Sequence, residues 1–234
     1  MTTAGRARSY WGGAGHWRVS HAVAAFGAGV VASVAAAAAV WSGDVTVFEG
    51  FAVVGATQTL VTIGVVAFLA RAPGRQPLGL RPRLPDLGWL LLGAGLVVAL
   101  SWATYVVIQS VFGGDAPVQS VVQSAGEAEG WGARVAVVVV SALLAPVSEE
   151  LVFRGVLLQA VGRRLSARWA AVVTAAVFAL AHFALDFNSA TAVPALFVMG
   201  WVLAAAVQRS GRLGPAVAAH MGFNLVGVLA LFYA

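Results

Sequence analysis

The segment that decides the fold is APVSEELVFRG, residues 145–155, which places Glu149, Glu150 and Arg154 inside a long apolar stretch. Apolar residues continue on both sides of it, from about 135 to 161. That length is sufficient for a membrane-spanning helix, which needs about 20 residues. Charged side chains within a span are costly and usually face a bundle interior or a water-filled cavity. The segment therefore predicts a membrane helix that carries a functional polar group.

The composition of the whole chain agrees with a membrane location. Of its 234 residues, 60% are hydrophobic and only 10% are charged, whereas soluble domains are about one quarter charged. We expect an all-α polytopic transmembrane bundle of about seven spans. The apolar blocks lie at about 22–41, 51–70, 87–111, 135–161, 169–185, 192–208 and 213–233. The absence of cysteine excludes disulfides and thiolate chemistry.

The charges predict the orientation of these spans. All 14 basic residues are arginines, and most of them fall in alternate loops. The arginine-rich segments contain Arg6, Arg8, Arg18, Arg71, Arg75, Arg81, Arg83, Arg163, Arg164, Arg168, Arg209 and Arg212. The other loops contain Asp44, Glu49, Asp115, Glu127, Glu129 and Asp186, with Arg134 as their one basic residue. The positive-inside rule then predicts a cytoplasmic N-terminus. We expect a multi-pass protein of the plasma membrane.

The chain divides into three predicted regions. Residues 1–21 form a basic cytoplasmic head, 22–130 form scaffold helices and a linker, and 131–234 form a catalytic core. A cleaved signal peptide is the alternative for the first block, although its apolar run is longer than a usual signal core. The arginines show no basic patch with interleaved aromatic residues, so no nucleic-acid partner is expected. His16, His21 and the tryptophans at 11, 17, 41 and 131 are interpreted as interfacial anchors.

Polar groups in the last four blocks fall at similar depths. With a helical rise of ~1.5 Å per residue, Glu150 and His182 lie roughly 20 Å from the nearest loop arginine. Asn224 lies about 18 Å and His220 about 12 Å from theirs. Such convergence is expected of one buried site.

Helix geometry separates the two glutamates. Adjacent residues lie ~100° apart around a helix, so Glu149 and Glu150 are not expected to face the same point. Arg154 follows Glu150 by four residues, the spacing of neighbouring side chains. We therefore predict a buried Glu150–Arg154 ion pair and a Glu149 side chain that faces a cavity. Pro146 lacks an N–H group and is expected to kink or open the helix.

Two further motifs complete the predicted site. FALAH places Phe178 and His182 one helical turn apart, and HMGFN does the same for His220 and Asn224. A carboxylate, two imidazoles and a carboxamide can activate water against an amide bond. The carboxylate accepts the proton, imidazole shares that task or binds a metal, and the carboxamide donates to an oxyanion.

Each motif also has a structural interpretation. A buried Glu–Arg pair can simply hold helices together, and a histidine within a span can be a packing residue. Asp186 and Asn188 are interpreted as loop or cap residues, with orientation of His182 by Asp186 as the alternative.

The three motifs together resemble those of a known family. EELVFRG is similar to the EExxxR motif, FALAH to the FxxxH motif and HMGFN to the HxxxN motif of the CPBP intramembrane proteases. That family includes the CAAX prenyl endopeptidase type 2 and the abortive-infection or bacteriocin-immunity proteins. The motifs occur in family order over about residues 149–224.

The resemblance implies a role for each matching residue. Glu149 would be the water-activating base, assisted by His182, and His220 with Asn224 would stabilise the oxyanion or hold a metal. Glu150, Arg154 and Phe178 would support the site. Candidate ligands for a divalent metal such as zinc are Glu149, His182 and His220, and chemistry without a metal is the alternative.

The resemblance further implies an intramembrane CAAX-type protease. Its partners would be membrane lipids and a hydrophobic or prenylated peptide or protein substrate. A non-catalytic immunity or scaffold protein of the same family is the first alternative. The second is a proton-coupled transporter, which the absence of visible internal repeats argues against.

Overall fold

The computed structural model describes residues 17–43, 47–73, 78–113 and 130–232. Seven helical segments in this part of the chain are long and apolar enough to span a membrane, and no strand occurs among the described residues. The predicted all-α fold with seven spans is therefore confirmed. The predictions for residues 1–16, Asp44, Arg75, Asp115, Glu127 and Glu129 lie outside the described residues.

The helices follow one another along the chain with short connections in the C-terminal half. They are α1 (Val19–Val40), α2 (Val47–Ala70), α3 (Asp86–Phe112), α4 (Gly130–Gly162), α5 (Ala167–Leu185), α6 (Val193–Ser210) and α7 (Gly214–Leu231). A 3₁₀ turn, Phe187–Ala192, precedes α6. Gly113 and Gly211 end α3 and α6 in the left-handed conformation, with φ of 67° and 65°, which glycine adopts without a steric penalty. Prolines lie in the first turns of α6 and α7, where their missing N–H group costs no helical hydrogen bond.

The second half of α4 is the central element of the bundle. Every residue from Leu151 to Ala160 is buried, so this part of the helix is surrounded by other helices on all sides. α1 packs along α2, α3 along α7, and α5 along α6. The spans α4 to α7 bury a larger share of their residues than α1 to α3 do. The predicted boundary between scaffold and core near residue 130 agrees with this contrast but remains a prediction.

α4 is not a regular α-helix. Its segments Val138–Leu144 and Leu151–Leu157 are π-helical, and they flank the α-helical segment Ala145–Glu150. Pro146 follows the first π-helical segment, where the proline ring would clash with a carbonyl in a regular α-helix. The sequence-based expectation that Pro146 opens the helix is confirmed. Such π-helical turns are rare and occur frequently at functional sites.

An ion pair and a buried tryptophan outside α4 also stabilise the bundle. Asp86, at the start of α3, forms an ion pair with Arg212 before α7, with 2.6 Å between Oδ1 and Nη2. Trp17 is buried against the bundle and contacts the His21 ring at 5.9 Å between centroids. The interpretation of Trp17 as an interfacial anchor is therefore wrong, because its ring packs in the protein core. Trp41 and Trp131 are exposed.

Glycines allow α3 and α7 to approach closely. A Cβ atom at Gly93 would overlap the backbone of Ala219, and one at Gly222 would overlap the backbone of Leu90. Small residues of this kind let helix backbones pack against each other within membranes. The contact fixes the position of α7, which carries two of the predicted site residues.

We expect Gly93→Ala and Gly222→Ala to destabilise the protein by about 1–3 kcal/mol each, because overpacking displaces whole helices. Gly95→Ala is the matched control, since a Cβ atom there meets no atom within 4 Å. Thermal unfolding of the detergent-solubilised variants measures the effect. Equal melting temperatures for Gly93→Ala and Gly95→Ala would contradict the close packing of α3 on α7.

Candidate active site

A fully buried ion pair lies at the centre of the site. Arg154 Nη1 donates to Glu150 Oε1 across 2.7 Å, and neither side chain is exposed. The pair that the four-residue spacing predicts is therefore confirmed. Direct pairing and further hydrogen bonds offset part of the cost of burying both charges, while Glu150 Oε2 is buried without a hydrogen-bond partner.

The Arg154 guanidinium also connects α4 to two other helices. Its Nη2 donates to the Gly200 carbonyl on α6 at 3.0 Å, and its Cζ lies 4.5 Å from the centre of the Phe178 ring on α5. A Cβ atom at Gly200 would lie 3.1 Å from this Nη2, so glycine leaves the space that the guanidinium uses. Arginine suits this position because its planar group can donate to two acceptors and stack on a ring.

Glu150 holds a histidine as well as the arginine. Its Oε1 lies 3.0 Å from His220 Nδ1 on α7, and both side chains are buried. One carboxylate oxygen is therefore shared by Arg154 and His220. The sequence analysis assigned only the arginine to Glu150, although a carboxylate can accept about four hydrogen bonds.

Glu149 lies beside both histidines. Its Oε2 is 3.8 Å from His182 Nε2 and 3.7 Å from His220 Nε2. The Glu149 side chain is 22% exposed, whereas that of Glu150 is fully buried. The expected convergence of α4, α5 and α7 on one site is therefore confirmed for these three side chains. Their catalytic roles remain predictions.

The hydrogen bonds of the two Nδ1 atoms determine the tautomer of each histidine and leave the Nε2 atoms to face Glu149. His182 Nδ1 lies 2.9 Å from the Phe178 carbonyl, which can only accept a hydrogen bond. In a neutral ring, the Nδ1 atom therefore carries the proton and Nε2 presents a lone pair. The same assignment follows for neutral His220, whose Nδ1 faces a Glu150 carboxylate oxygen. Both tautomers are inferred from the hydrogen-bond network.

Phe178 sets the position of both imidazoles. Its buried ring lies 4.5 Å from the His182 ring and 5.9 Å from the His220 ring, measured between centroids. Its opposite contact is the Arg154 guanidinium. The structure thus places Phe178 and His182 on one face of α5, as the FALAH spacing predicts.

Asn224 has a structural contact that the sequence did not indicate. Its Nδ2 donates to the Ser141 carbonyl at 2.8 Å. Ser141 lies in the π-helical segment before Pro146, and in that pattern Ala145 donates to Val140, five residues back. The corresponding donor for Ser141 would be Pro146, which has no N–H group. Asn224 supplies the missing donor, and its second amide hydrogen remains for the oxyanion role that is predicted for it.

Asp186 caps the turn that follows α5. Its carboxylate accepts a hydrogen bond from the Asn188 backbone N–H at 3.1 Å, which agrees with the interpretation of both residues as cap residues. The alternative, in which Asp186 orients His182, is not required, because the Phe178 carbonyl already holds His182 Nδ1.

The donor set around Glu149 fits a zinc ion in chemical kind, with two imidazole nitrogens and one carboxylate oxygen. In the described residues, Glu149 Oε2 is buried and has no hydrogen-bond partner, and such an atom favours a polar or cationic ligand. Two atoms bound to one tetrahedral zinc lie about 3.4 Å apart, slightly closer than the separations found here. Within the same part of the chain, no three His, Cys, Asp or Glu side chains lie close enough together to hold a metal ion as they stand.

Residues 131–226 match the model of the family described as type II CAAX prenyl endopeptidase Rce1-like. Over these residues the chain is similar to the CAAX protease family. The match runs from α4 into α7 and includes the EELVFRG, FALAH and HMGFN motifs. No curated protein and no solved structure matches the chain. The seven apolar spans and this match indicate a multi-pass membrane protein that is similar to the CAAX proteases in its C-terminal half.

We expect Arg154→Ala to destabilise the protein by about 3–5 kcal/mol, because the change leaves Glu150 buried without its cation. Arg154→Lys should be intermediate, since a lysine keeps the charge but loses the planar fork. The amount of folded protein in membranes and its melting temperature measure the effect.

Arg168→Ala is the control for these variants, because it removes an exposed arginine from the start of α5. A wild-type melting temperature for Arg154→Ala would show that the buried pair does not hold the site together.

Proposed function

We propose that the protein is an intramembrane endopeptidase that hydrolyses a peptide bond near the end of a hydrophobic or lipidated, CAAX-like protein or peptide. The family match supports a protease of this class. The observation that carries the proposal is the position of Glu149 Oε2 within 4 Å of the Nε2 atoms of His182 and His220. The family match gives no support to the non-catalytic alternative.

In the proposed reaction, Glu149 accepts a proton from the attacking water. Its partly exposed side chain is accessible to water, whereas Glu150 is fully buried and already paired. His182 presents its Nε2 lone pair to the same point and assists by orienting the water and sharing its proton. A correctly placed general base of this kind contributes about 100- to 10,000-fold to the rate.

The tetrahedral intermediate requires hydrogen-bond donors for its oxyanion. We assign this role to His220, which in its protonated form can donate from Nε2 while Nδ1 remains held by Glu150. Asn224 provides the second donor through the amide hydrogen that Ser141 does not use. Donors that are already fixed in place stabilise an oxyanion without reorganisation during the reaction. The proton held by Glu149 then passes to the leaving amine.

A metal would use the same side chains. Zinc held by Glu149, His182 and His220 would supply an activated water and polarise the scissile carbonyl. In that case Glu150 and the Phe178 carbonyl keep their roles, because they bind the Nδ1 atoms and aim the Nε2 atoms at the ion. Such contacts to the second ring nitrogen are the usual support of metal-binding histidines.

An apolar groove supports access of the substrate from the lipid. A cavity of about 410 Å³ lies between α5 and α6, and it is lined by apolar residues that include Ala179, Leu180 and Phe197. Ala179 directly follows Phe178, so the groove runs along the helix that carries His182. It suits an apolar chain of the substrate. On the basis of the arginine distribution we further propose a cytoplasmic N-terminus. We also propose a plasma membrane location.

We expect Glu149→Gln to lower the rate of peptide cleavage by about 100-fold or more while the protein still accumulates in a folded state. The change keeps the size of the side chain and removes its ability to accept a proton. The test is cleavage of a library of prenylated and unmodified hydrophobic peptides by the purified protein in detergent or liposomes. Glu49→Gln is the control, since Glu49 lies in the first turn of α2.

Normal cleavage by Glu149→Gln, His182→Ala and His220→Ala together would refute the proposed hydrolytic site. The same assay with a chelator distinguishes metal-dependent hydrolysis from hydrolysis without a metal. Loss of cleavage that zinc restores would assign the three side chains as metal ligands. Cleavage that survives chelation would assign them to the reaction without a metal.

A further inference from the structure

A second cavity lies far from Glu149, at the end of the bundle where the arginines are concentrated. It has a volume of about 750 Å³ and lies between the start of α1 and the end of α4. Its lining includes Arg18, Arg163 and Arg164, together with Trp17 and Leu165. The proposed hydrolytic reaction uses none of these residues.

The three arginines of this cavity have no acidic partner among the described residues. No ion pair involves Arg18, Arg163 or Arg164 in this part of the chain. All three residues are exposed, so their charges face the cavity mouth and solvent. Three like charges around one concave site repel each other, and an anion would relieve that repulsion.

The rest of the sequence cannot supply this anion easily. Residues 1–16, which precede the cavity, contain Arg6 and Arg8 and no acidic residue. Asp86 lies at the same end of the bundle, but its carboxylate is paired with Arg212. In the sequence, Asp44 follows α1 and Asp115, Glu127 and Glu129 precede α4, whereas the cavity lies at the start of α1 and the end of α4. An anion bound in this cavity would therefore come from another molecule.

The form of the cavity suits a membrane lipid. The buried Trp17 and the apolar Leu165 and Val161 lie beside the arginines, so the cavity offers apolar contact next to positive charge. α1 begins at this cavity, and the start of a helix carries a partial positive charge. Basic pockets between spans at the interface with water bind the headgroups of anionic lipids. Its volume lies within the range of ligand pockets, about 300–1,000 Å³.

We propose that this cavity binds the phosphate-bearing headgroup of an anionic phospholipid and thereby stabilises the contact between α1 and α4. The inference does not depend on the proposed hydrolysis. If the positive charge only set the membrane orientation, every arginine at this end of the bundle would contribute equally to lipid binding. A specific lipid site requires instead that the arginines of the cavity contribute more to lipid binding than the other arginines do.

The test compares two double variants of the full chain in detergent. Arg163→Gln with Arg164→Gln removes two charges from the cavity. Arg71→Gln with Arg209→Gln removes two exposed charges that follow α2 and end α6 and that do not line it. Phosphatidylglycerol and phosphatidylcholine with identical acyl chains are titrated into each protein. Lipid retention is measured by native mass spectrometry and stabilisation by the melting temperature.

We expect phosphatidylglycerol, and not phosphatidylcholine, to stabilise the wild type and the Arg71/Arg209 variant. For the Arg163/Arg164 variant its apparent affinity should fall about 30-fold, since each arginine near an anionic surface contributes about 1 kcal/mol. Arg18→Gln should show a smaller loss in the same direction. Equal losses in the two double variants would reduce the effect to general surface charge and overturn the proposal. Equal effects of the two lipids, or full stabilisation by inorganic phosphate alone, would also overturn it.

Discussion

A carboxylate inside a membrane bundle must be paired, and the Glu150 carboxylate is paired twice through one oxygen. Arg154 reaches this oxygen from the same helix and His220 reaches it from α7. Because Arg154 also bonds to Gly200 on α6 and lies on Phe178 of α5, four helices meet at one ionic contact. Because an unpaired charge at this depth is costly, the four helices are restricted to the arrangement that keeps the charges paired. Any displacement of these helices would expose a buried charge to an apolar environment.

The sequence predicted the fold well because membrane spans leave a strong compositional record. Apolar length and alternate arginine-rich loops were sufficient to find seven spans, and the i, i+4 rule found the Glu150–Arg154 pair. The same reasoning could not find the hydrogen bond from Arg154 to the Gly200 carbonyl, because nothing in the sequence marks a particular backbone carbonyl as an acceptor. It also could not find Glu150 on His220, since contacts between helices depend on rotation and tilt. The depth of each residue along its helix predicted that the polar groups lie at a similar level in the membrane, but it could not predict their hydrogen bonds.

The irregular form of α4 was only partly visible in the sequence. A proline at residue 146 predicted an opening of the helix, but not that π-helical turns would form on both sides of the glutamates. The consequence for α7 was invisible, because the Ser141 carbonyl needs a donor only in the π-helical pattern. Asn224 meets that need. Its position in the HxxxN motif therefore has a structural cause that is independent of any oxyanion, and both functions can act on the same side chain.

The two adjacent glutamates show how one helix can supply both rigidity and chemistry. An angle of ~100° between neighbours suggested that Glu149 and Glu150 would face different points. The structure instead places the His220 ring between them, with Nδ1 toward Glu150 and Nε2 toward Glu149. The His220 ring contacts both carboxylates, so the fully buried Glu150 controls the orientation of a ring that the partly exposed Glu149 can use. A proton or a metal ion near Glu149 would therefore meet a histidine whose second nitrogen is already fixed by a charge. The ion pair that stabilises the bundle and the groups proposed to act on substrate thus form one continuous network, and the fold cannot lose the first without disturbing the second.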